Sequence, residues 1–367
     1  MLTKESLETP CILIDEHVMQ RNIARMADMA ARSGVKLRPH IKTHKIPEFA
    51  LSQLEQGASG ITVAKVGEAE TMAAHGIDDI FIAYPIVSPS KIKRIVALAE
   101  KISMIVGVES IEGARNLSKE AAQAGITLSV RLEIDTGLAR TGVRPDQALE
   151  LAKQIAALPG LDLSGIFTFK GAVFEGVGTL DLAAAGQEEG RIMVETAEKL
   201  RAAGIAIRDV SVGSTPSAPY AAAVEGVTEV RPGTYIFYDR MLAVMGACTK
   251  EDWAAKVLVT VVSVPSEDRL VVDGGSKTFA TDVQPGQPPL HLKGFGEIVG
   301  HPAAVFEKMN EEHGMIRTEG PHGLHVGDVL EIVPNHICST VNLHNEVFAL
   351  KDGSIRAIPV LARGKLA

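Results

Sequence analysis

The stretch Lys36-Leu37-Arg38-Pro39-His40-Ile41-Lys42-Thr43-His44-Lys45 reads as a buried strand that ends by delivering an amine. Alternation along an extended chain puts Arg38, His40 and Lys42 on one face and Leu37, Pro39 and Ile41 on the other. Three cationic or titratable side chains in a row are costly to bury unless something anionic sits among them. A phosphate-bearing cofactor would meet that need.

Outward from this stretch, as far as about Asp239, β-rich runs alternate with amphipathic stretches at the spacing of βα units. The expected strands are Leu37–Ile41, Gly60–Ala64, Asp79–Tyr84, Ile102–Val106, Thr127–Ile134, Leu163–Phe169, Asp209–Gly213 and Glu229–Ile236. Helices are expected at Val18–Arg32, Ser110–Ala124, Pro145–Ala157 and Ala184–Ala203, where apolar residues recur every three or four positions. Eight such strands close a parallel (β/α)8 barrel of the TIM type, which needs roughly 200 to 250 residues. After about Met245 the pattern changes to the strands Lys256–Val264, Arg269–Val272, Val329–Val333, Glu346–Leu350 and Ser354–Ile358, separated by Pro, Gly and Asp turns. The expectation is therefore an α/β barrel over residues 10–244 and an antiparallel β domain over 245–367 that also takes in residues 1–9.

Composition supports a large buried core: 46% of the 367 residues are hydrophobic and 22% charged. The net charge of -8, without a basic cluster, argues against a nucleic-acid partner. The first residues hold no apolar run, and runs such as Val257 to Val264 are too short to span a bilayer, so no membrane role is expected. Three widely spaced cysteines, Cys11, Cys248 and Cys338, do not make a disulfide framework, and a cytoplasmic location is the expectation.

In a parallel barrel the chemistry sits at the carboxyl ends of the strands. Lys42 closes the first strand there and shares the face of Arg38 and His40, which Lys45 does not; cationic neighbours would depress its amine pKa and favour Schiff-base chemistry. The loops Val212-Gly213-Ser214-Thr215-Pro216 and Arg231-Pro232-Gly233-Thr234-Tyr235 follow strands seven and eight, where barrels commonly bind phosphate; ordinary turn glycines are the alternative. The turn Asp135-Thr136-Gly137-Leu138-Ala139-Arg140 carries an arginine over the barrel mouth, to satisfy Asp135 or loop carbonyls, or to hold a phenolate or a carboxylate. In Val333-Pro334-Asn335-His336-Ile337-Cys338, a spacing of two on an extended strand would point imidazole and thiol the same way, as a metal pair or as a half-buried cysteine beside a hydrogen-bonded histidine. His313 and His344 are possible helpers, each equally explicable as structural.

Taken together, Arg38-Pro39-His40-Ile41-Lys42-Thr43-His44-Lys45, Asp135-Thr136-Gly137 with Arg140, Gly213-Ser214-Thr215 and His336-Ile337-Cys338 resemble the D-threonine aldolase and D-serine dehydratase family of fold-type III pyridoxal-phosphate enzymes, with alanine racemase as a more distant relative. The resemblance runs from Thr9-Pro10-Cys11 to the last strands. It implies an alanine-racemase-like barrel in which Lys42 forms the Schiff base with pyridoxal 5'-phosphate. Gly213, Ser214, Thr215, Gly233 and Thr234 would hold the phosphate with Tyr235 close by, and Arg140 would lie near the phenolic oxygen. Arg231 stands where alanine racemases place an arginine against the pyridine nitrogen. His336 and Cys338 would hold a divalent metal, and a thiolate favours zinc over manganese or magnesium, with cobalt a further candidate. A homodimer is implied too.

Two departures stand out. Family members often carry Tyr or His where this chain has Phe169, and His where it has Lys170. Many D-threonine aldolases use Asp where this chain has Cys338, whereas dehydratases of D-serine and D-threo-3-hydroxyaspartate use Cys. The implied activity is a lyase on D-β-hydroxy amino acids, with D-threonine aldolase as the main reading and such a dehydratase as the alternative. A non-catalytic cofactor carrier and a racemase are more remote. Racemases of this fold supply a tyrosine from the C-terminal domain, and none of Tyr84, Tyr220, Tyr235 and Tyr238 lies beyond Met241.

Overall fold

The computed structural model describes residues 3–367, and it divides the chain into two compact units. One comprises Arg25–Lys42, Pro47–Gly233 and Gly364–Ala367; the other the residues up to Ala24, Thr43–Ile46 and Thr234–Arg363.

The first unit is built on eight strands, Lys36–Leu37, Ile61–Val63, Asp79–Ile82, Ser103–Val108, Leu128–Glu133, Leu161–Phe167, Asp209–Val212 and Glu229–Val230. From the second to the eighth, each pairs in parallel with the next in chain order, and the first pairs in parallel with the last. A single bridge, His40 to Thr62, joins the first strand to the second and closes the ring. The expected barrel is there, with one difference at its opening strand. That strand stops at Leu37, because Pro39 has no N–H to give the ladder, and the chain then rises through a 3-10 turn, Ile41–Thr43, that carries Lys42. The eighth strand likewise stops at Val230, before Pro232 and the 3-10 turn Thr234–Ile236.

Helices start and stop where local chemistry says they should. Ser110 accepts from the N–H of Gly113 to open Ile111–Ala124, and Gly125 at φ 70° closes it. Asp181 caps Leu182–Ala202 through the N–H of Ala184, at 2.9 Å. Inside the barrel, Phe81 and Phe167 pack edge to face at 5.0 Å between centroids. Gly107 permits this: a Cβ there would lie 2.8 Å from the Phe167 ring.

The second unit is a nine-stranded, mostly antiparallel sheet centred on the long strand Ala255–Ser266. The strand Cys11–Asp15 belongs to this sheet: it pairs antiparallel with Ala255–Ser266 and in parallel with Glu346–Lys351. Residues 10–15 had been expected in the barrel segment; a short strand carries no local mark of which sheet it will join. Among the described residues no helix is long and apolar enough to cross a membrane.

Candidate active site

The opening strand begins in a floor of buried ion pairs. Arg38 donates from Nε to Glu229 at 2.8 Å and from Nη1 to Asp79 at 2.6 Å. Arg131 donates from Nη1 to the other oxygen of Glu229 at 2.5 Å and from Nη2 to Asp209 at 3.0 Å. Burial alone would raise the Glu229 carboxyl, but Arg131 and Arg38 pull it down to about 2. The anion expected among Arg38, His40 and Lys42 is thus, for Arg38, a set of carboxylates and not a phosphate.

Above this floor the carboxyl ends of the strands enclose a cavity of about 300 Å³ lined by His40, Lys42, Tyr84, Glu133, Arg140, Phe169 and Arg231, among others. Lys42 Nζ lies 5.2 Å from the centre of the Phe169 ring, and the Arg140 guanidinium 5.1 Å from it. Asp135 does not claim Arg140; its Oδ1 accepts the N–H groups of Gly137 and Ala139 and so shapes the turn that presents the arginine. Burial, reinforced by the charges of Lys42, Arg231 and Arg140, pushes the His40 imidazole well below its usual pKa, so the ring is neutral near pH 7. Arg231 donates to Ser211 Oγ at 2.5 Å, and Ser211 donates to Glu229 at 2.6 Å, which ties the pocket to the floor. Glu133 is the one acidic residue lining the cavity among the described residues; Thr141 donates to one of its oxygens at 2.8 Å and the other is buried without a partner.

The loop after strand seven turns at Gly213, φ 85°, and buries Ser214 and Thr215. The N–H of Gly213 donates to the buried Glu189 at 3.3 Å, and that of Ser214 to Ser217 Oγ at 3.2 Å. Burial pushes the Glu189 carboxyl up to about 7. Gly233 is the last residue of the Pro47–Gly233 segment of the first unit, while Thr234 and the fully buried Tyr235 begin the Thr234–Arg363 segment of the second. Lys170 turns away from the cavity into an ion pair with Glu188.

In the second unit His336 and Cys338 come together, but not by strand alternation. The strand ends at Pro334; His336 is the N-cap of a short helix, Ile337–Val341, and Cys338 lies in its first turn. The two side chains share a hydrogen bond, and Asp282 Oδ2 stands 2.6 Å from His336 Nδ1. The Cys338 sulfur lies 3.1 Å from the hydroxyl of Thr43, the residue after Lys42, and 3.2 Å from that of Thr234. Burial disfavours the charged ring, yet Cys338 and Asp282 hold the His336 imidazole well above its usual value. Burial also raises the thiol, but His336 and the two hydroxyls bring it below its usual value. An imidazole nitrogen and a sulfur set side by side are donors that suit a thiophilic divalent cation, so the pair fits such a metal. The other two histidines lie elsewhere: His344 Nε2 meets the Thr278 carbonyl at 3.1 Å, and His313 is exposed. Asp282, Glu133 and Glu189 escaped the sequence reading; only Glu133, at a strand's carboxyl end, carried a positional signal.

Comparison with known proteins agrees with this architecture. The alanine racemase N-terminal domain model matches residues 14–241, and a serine dehydratase domain model matches 254–350. The chain is 34% identical over 369 residues to a D-threonine aldolase of Arthrobacter sp., covering 98% of this chain and 93% of that one. Among solved structures it is similar to D-threo-3-hydroxyaspartate dehydratase of Delftia sp., with a TM-score of 0.90, 34% identity and 98% and 99% of the two chains covered. It is equally similar in fold to D-threonine aldolase of Filomicrobium marinum, with a TM-score of 0.90, 29% identity and 100% and 98% covered. A cysteine-to-alanine variant of the Delftia enzyme has been solved in a metal-free form. With one domain model spanning more than half its length and relatives matched end to end, the chain belongs to the D-threonine aldolase and D-serine dehydratase family of pyridoxal-phosphate lyases, on the alanine racemase fold.

Proposed function

We propose that this lyase cleaves a D-threonine-like substrate by a retro-aldol reaction into glycine and an aldehyde, using pyridoxal 5'-phosphate at Lys42 and a divalent metal, zinc by preference, at His336 and Cys338. The observation that carries the reading is the cavity itself: an amine and two guanidiniums, Lys42, Arg140 and Arg231, line it against a single carboxyl group, Glu133. Such a surplus of positive charge fits a ligand with phosphate, phenolate and carboxylate groups. When bound, pyridoxal phosphate supplies an electron sink for the bond broken at Cα, and a divalent cation supplies a Lewis acid for the β-hydroxyl.

The chain's own residues do the rest. Lys42 Nζ supplies the amine that anchors the cofactor and, once released, a base within the pocket. Neutral His40 offers a flat wall without adding a charge, and the Phe169 ring lies 5.2 Å from the lysine amine. Arg140 and Arg231 balance ligand anions, and the Gly213, Ser214, Thr215, Gly233, Thr234 and Tyr235 segments are the phosphate contacts we assign. His336 and Cys338 would hold the metal. The same reading places the protein in the cytoplasm as a homodimer.

A second reading is favoured by one observation: Cys338, not an aspartate, partners His336. In that case Lys42 Nζ would take the proton at Cα and the β-hydroxyl would leave as water; the released enamine, after tautomerising to the imine, would be hydrolysed to a 2-oxo acid and ammonia, from D-serine or D-threo-3-hydroxyaspartate. Product analysis with D-threonine, D-serine and D-threo-3-hydroxyaspartate decides between them. Glycine with an aldehyde is expected; a 2-oxo acid without glycine overturns the aldolase reading. Lys42→Ala should remove the yellow absorbance of the loaded protein and cut turnover by at least ~10²-fold. Lys45→Ala should keep both, because Lys45 Nζ is held 2.7 Å from Asn342 Oδ1.

A further inference from the structure

We propose that Asp282 is the positioning residue of the metal centre: its carboxylate holds Nδ1 of His336, leaves Nε2 as the coordinating nitrogen, and so sets the affinity of the site for zinc. The inference rests on the metal reading of His336 and Cys338 given above.

Both the backbone and the ring of His336 are held. The His336 backbone is fixed, since its carbonyl accepts from Thr340 Oγ1 at 2.8 Å and the preceding Asn335 donates to the Gly294 carbonyl at 2.9 Å. What remains free is rotation of the ring. Asp282 Oδ2 removes that freedom at 2.6 Å from Nδ1. The same oxygen accepts from Ser339 Oγ at 2.8 Å, so the carboxylate is itself held by the helix that carries Cys338.

A ring nitrogen bonded to a carboxylate carries the proton, and the opposite nitrogen then offers its lone pair to a metal. A carboxylate behind a ligating histidine also raises the ligand's basicity, and losing one typically costs 10–100-fold in metal affinity. The effect should be pronounced here because the protein donors are few. Among the described residues no group of three or more His, Cys, Asp and Glu side chains is placed to hold a metal, so orientation of each donor of the pair counts. Cys338 is oriented separately, by Thr43 and Thr234. Asp282 is otherwise a half-exposed loop residue whose side chain bonds His336 and Ser339, so the fold itself leans on it little.

The test uses the full chain, stripped with chelator and titrated with zinc against a chromophoric competitor. Asp282→Asn should weaken zinc binding 10–100-fold, and Ser339→Ala by a smaller factor. The melting temperature of the stripped protein should not move. With cobalt in place of zinc, Asp282→Asn should still develop the cobalt–thiolate absorbance at saturation, because Cys338 keeps its own hydroxyl partners; loss of that band at saturation would overturn the separate orientation of the two ligands. Should Asp282→Asn fold poorly, Asp282→Glu, which keeps a carboxylate, is expected to bind zinc more tightly than Asp282→Ala. Zinc binding by Asp282→Asn as tight as that of the unaltered chain overturns the inference alone. Failure of the unaltered chain to bind zinc overturns the metal reading and this inference with it.

Discussion

Arg38 and Lys42 stand four positions apart on one stretch of chain and meet opposite electrostatic surroundings. At the floor of the barrel, Arg38 and Arg131 face three carboxylates, Glu229, Asp79 and Asp209, through paired hydrogen bonds. At the mouth, Lys42, Arg140 and Arg231 share a cavity with Glu133 alone. A buried charge that is saturated is architecture: it specifies how strands meet and has nothing left to offer a ligand. Three cations around one carboxyl group instead give the cavity a net positive charge that suits an anionic ligand.

The sharpest way to break this contrast is at Glu229. Glu229→Ala leaves Arg38 and Arg131 buried without their shared partner, and should cost about 3–5 kcal/mol of stability in urea unfolding. Its acid limb should change as well. With a folded pKa near 2 against an ordinary value of 4.5, Glu229 contributes stability that is present above about 4.5 and lost as pH falls towards 2, so the variant should lose less on acidification. A variant as stable as the parent would mean that the floor is not architecture.

Glu189 should behave in the opposite sense. Burial raises its carboxyl from 4.5 to about 7, so the unfolded chain releases this proton first and the folded state loses stability as pH rises through that window. Glu189→Gln, which keeps hydrogen-bonding groups toward Gly213 and Ser217, should therefore gain on the order of 2 kcal/mol relative to the parent at pH 8 and little at pH 4, by melting at the two pH values. No gain at pH 8 would show that Glu189 is held as an anion, and would move the loop to the saturated class.

The smallest effect tests the mouth. Arg140→Met should leave stability within about 0.5 kcal/mol of the parent, since the side chain is exposed and bonds no carboxylate of its own in the floor. It should weaken pyridoxal phosphate binding about tenfold by fluorescence titration, and the loss should shrink as salt is raised. Destabilisation without loss of affinity would reverse the contrast.

Much of this was legible in the chain. The spacing of apolar runs announced eight parallel strands, and Lys42 stood out because it follows Arg38 and His40 at a strand's end. What misled was the assumption that an extended run stays extended. Pro39 ends the first ladder early, and Lys42 is presented by a turn. His336 and Cys338 do meet, but through an N-cap and the first turn of a helix. Thr234, assigned to the phosphate, also sets its hydroxyl 3.2 Å from the Cys338 sulfur, a contact that no local pattern announced. Asp79, Glu189 and Asp282 had no signal of their own, because a lone carboxylate looks the same whether it faces water, an arginine or an imidazole.

The sequence by itself determined the barrel, the antiparallel strands after it, the family and the residue types that can do the chemistry. Those follow from local periodicity and from short motifs, in which each residue's meaning depends on neighbours within a few positions. Only the tertiary structure decided which charges meet carboxylates and which line the cavity. Arg38 and Glu229 are 191 positions apart and Arg131 and Glu229 are 98 apart, and electrostatic pairing is a property of distances in space that no local pattern encodes.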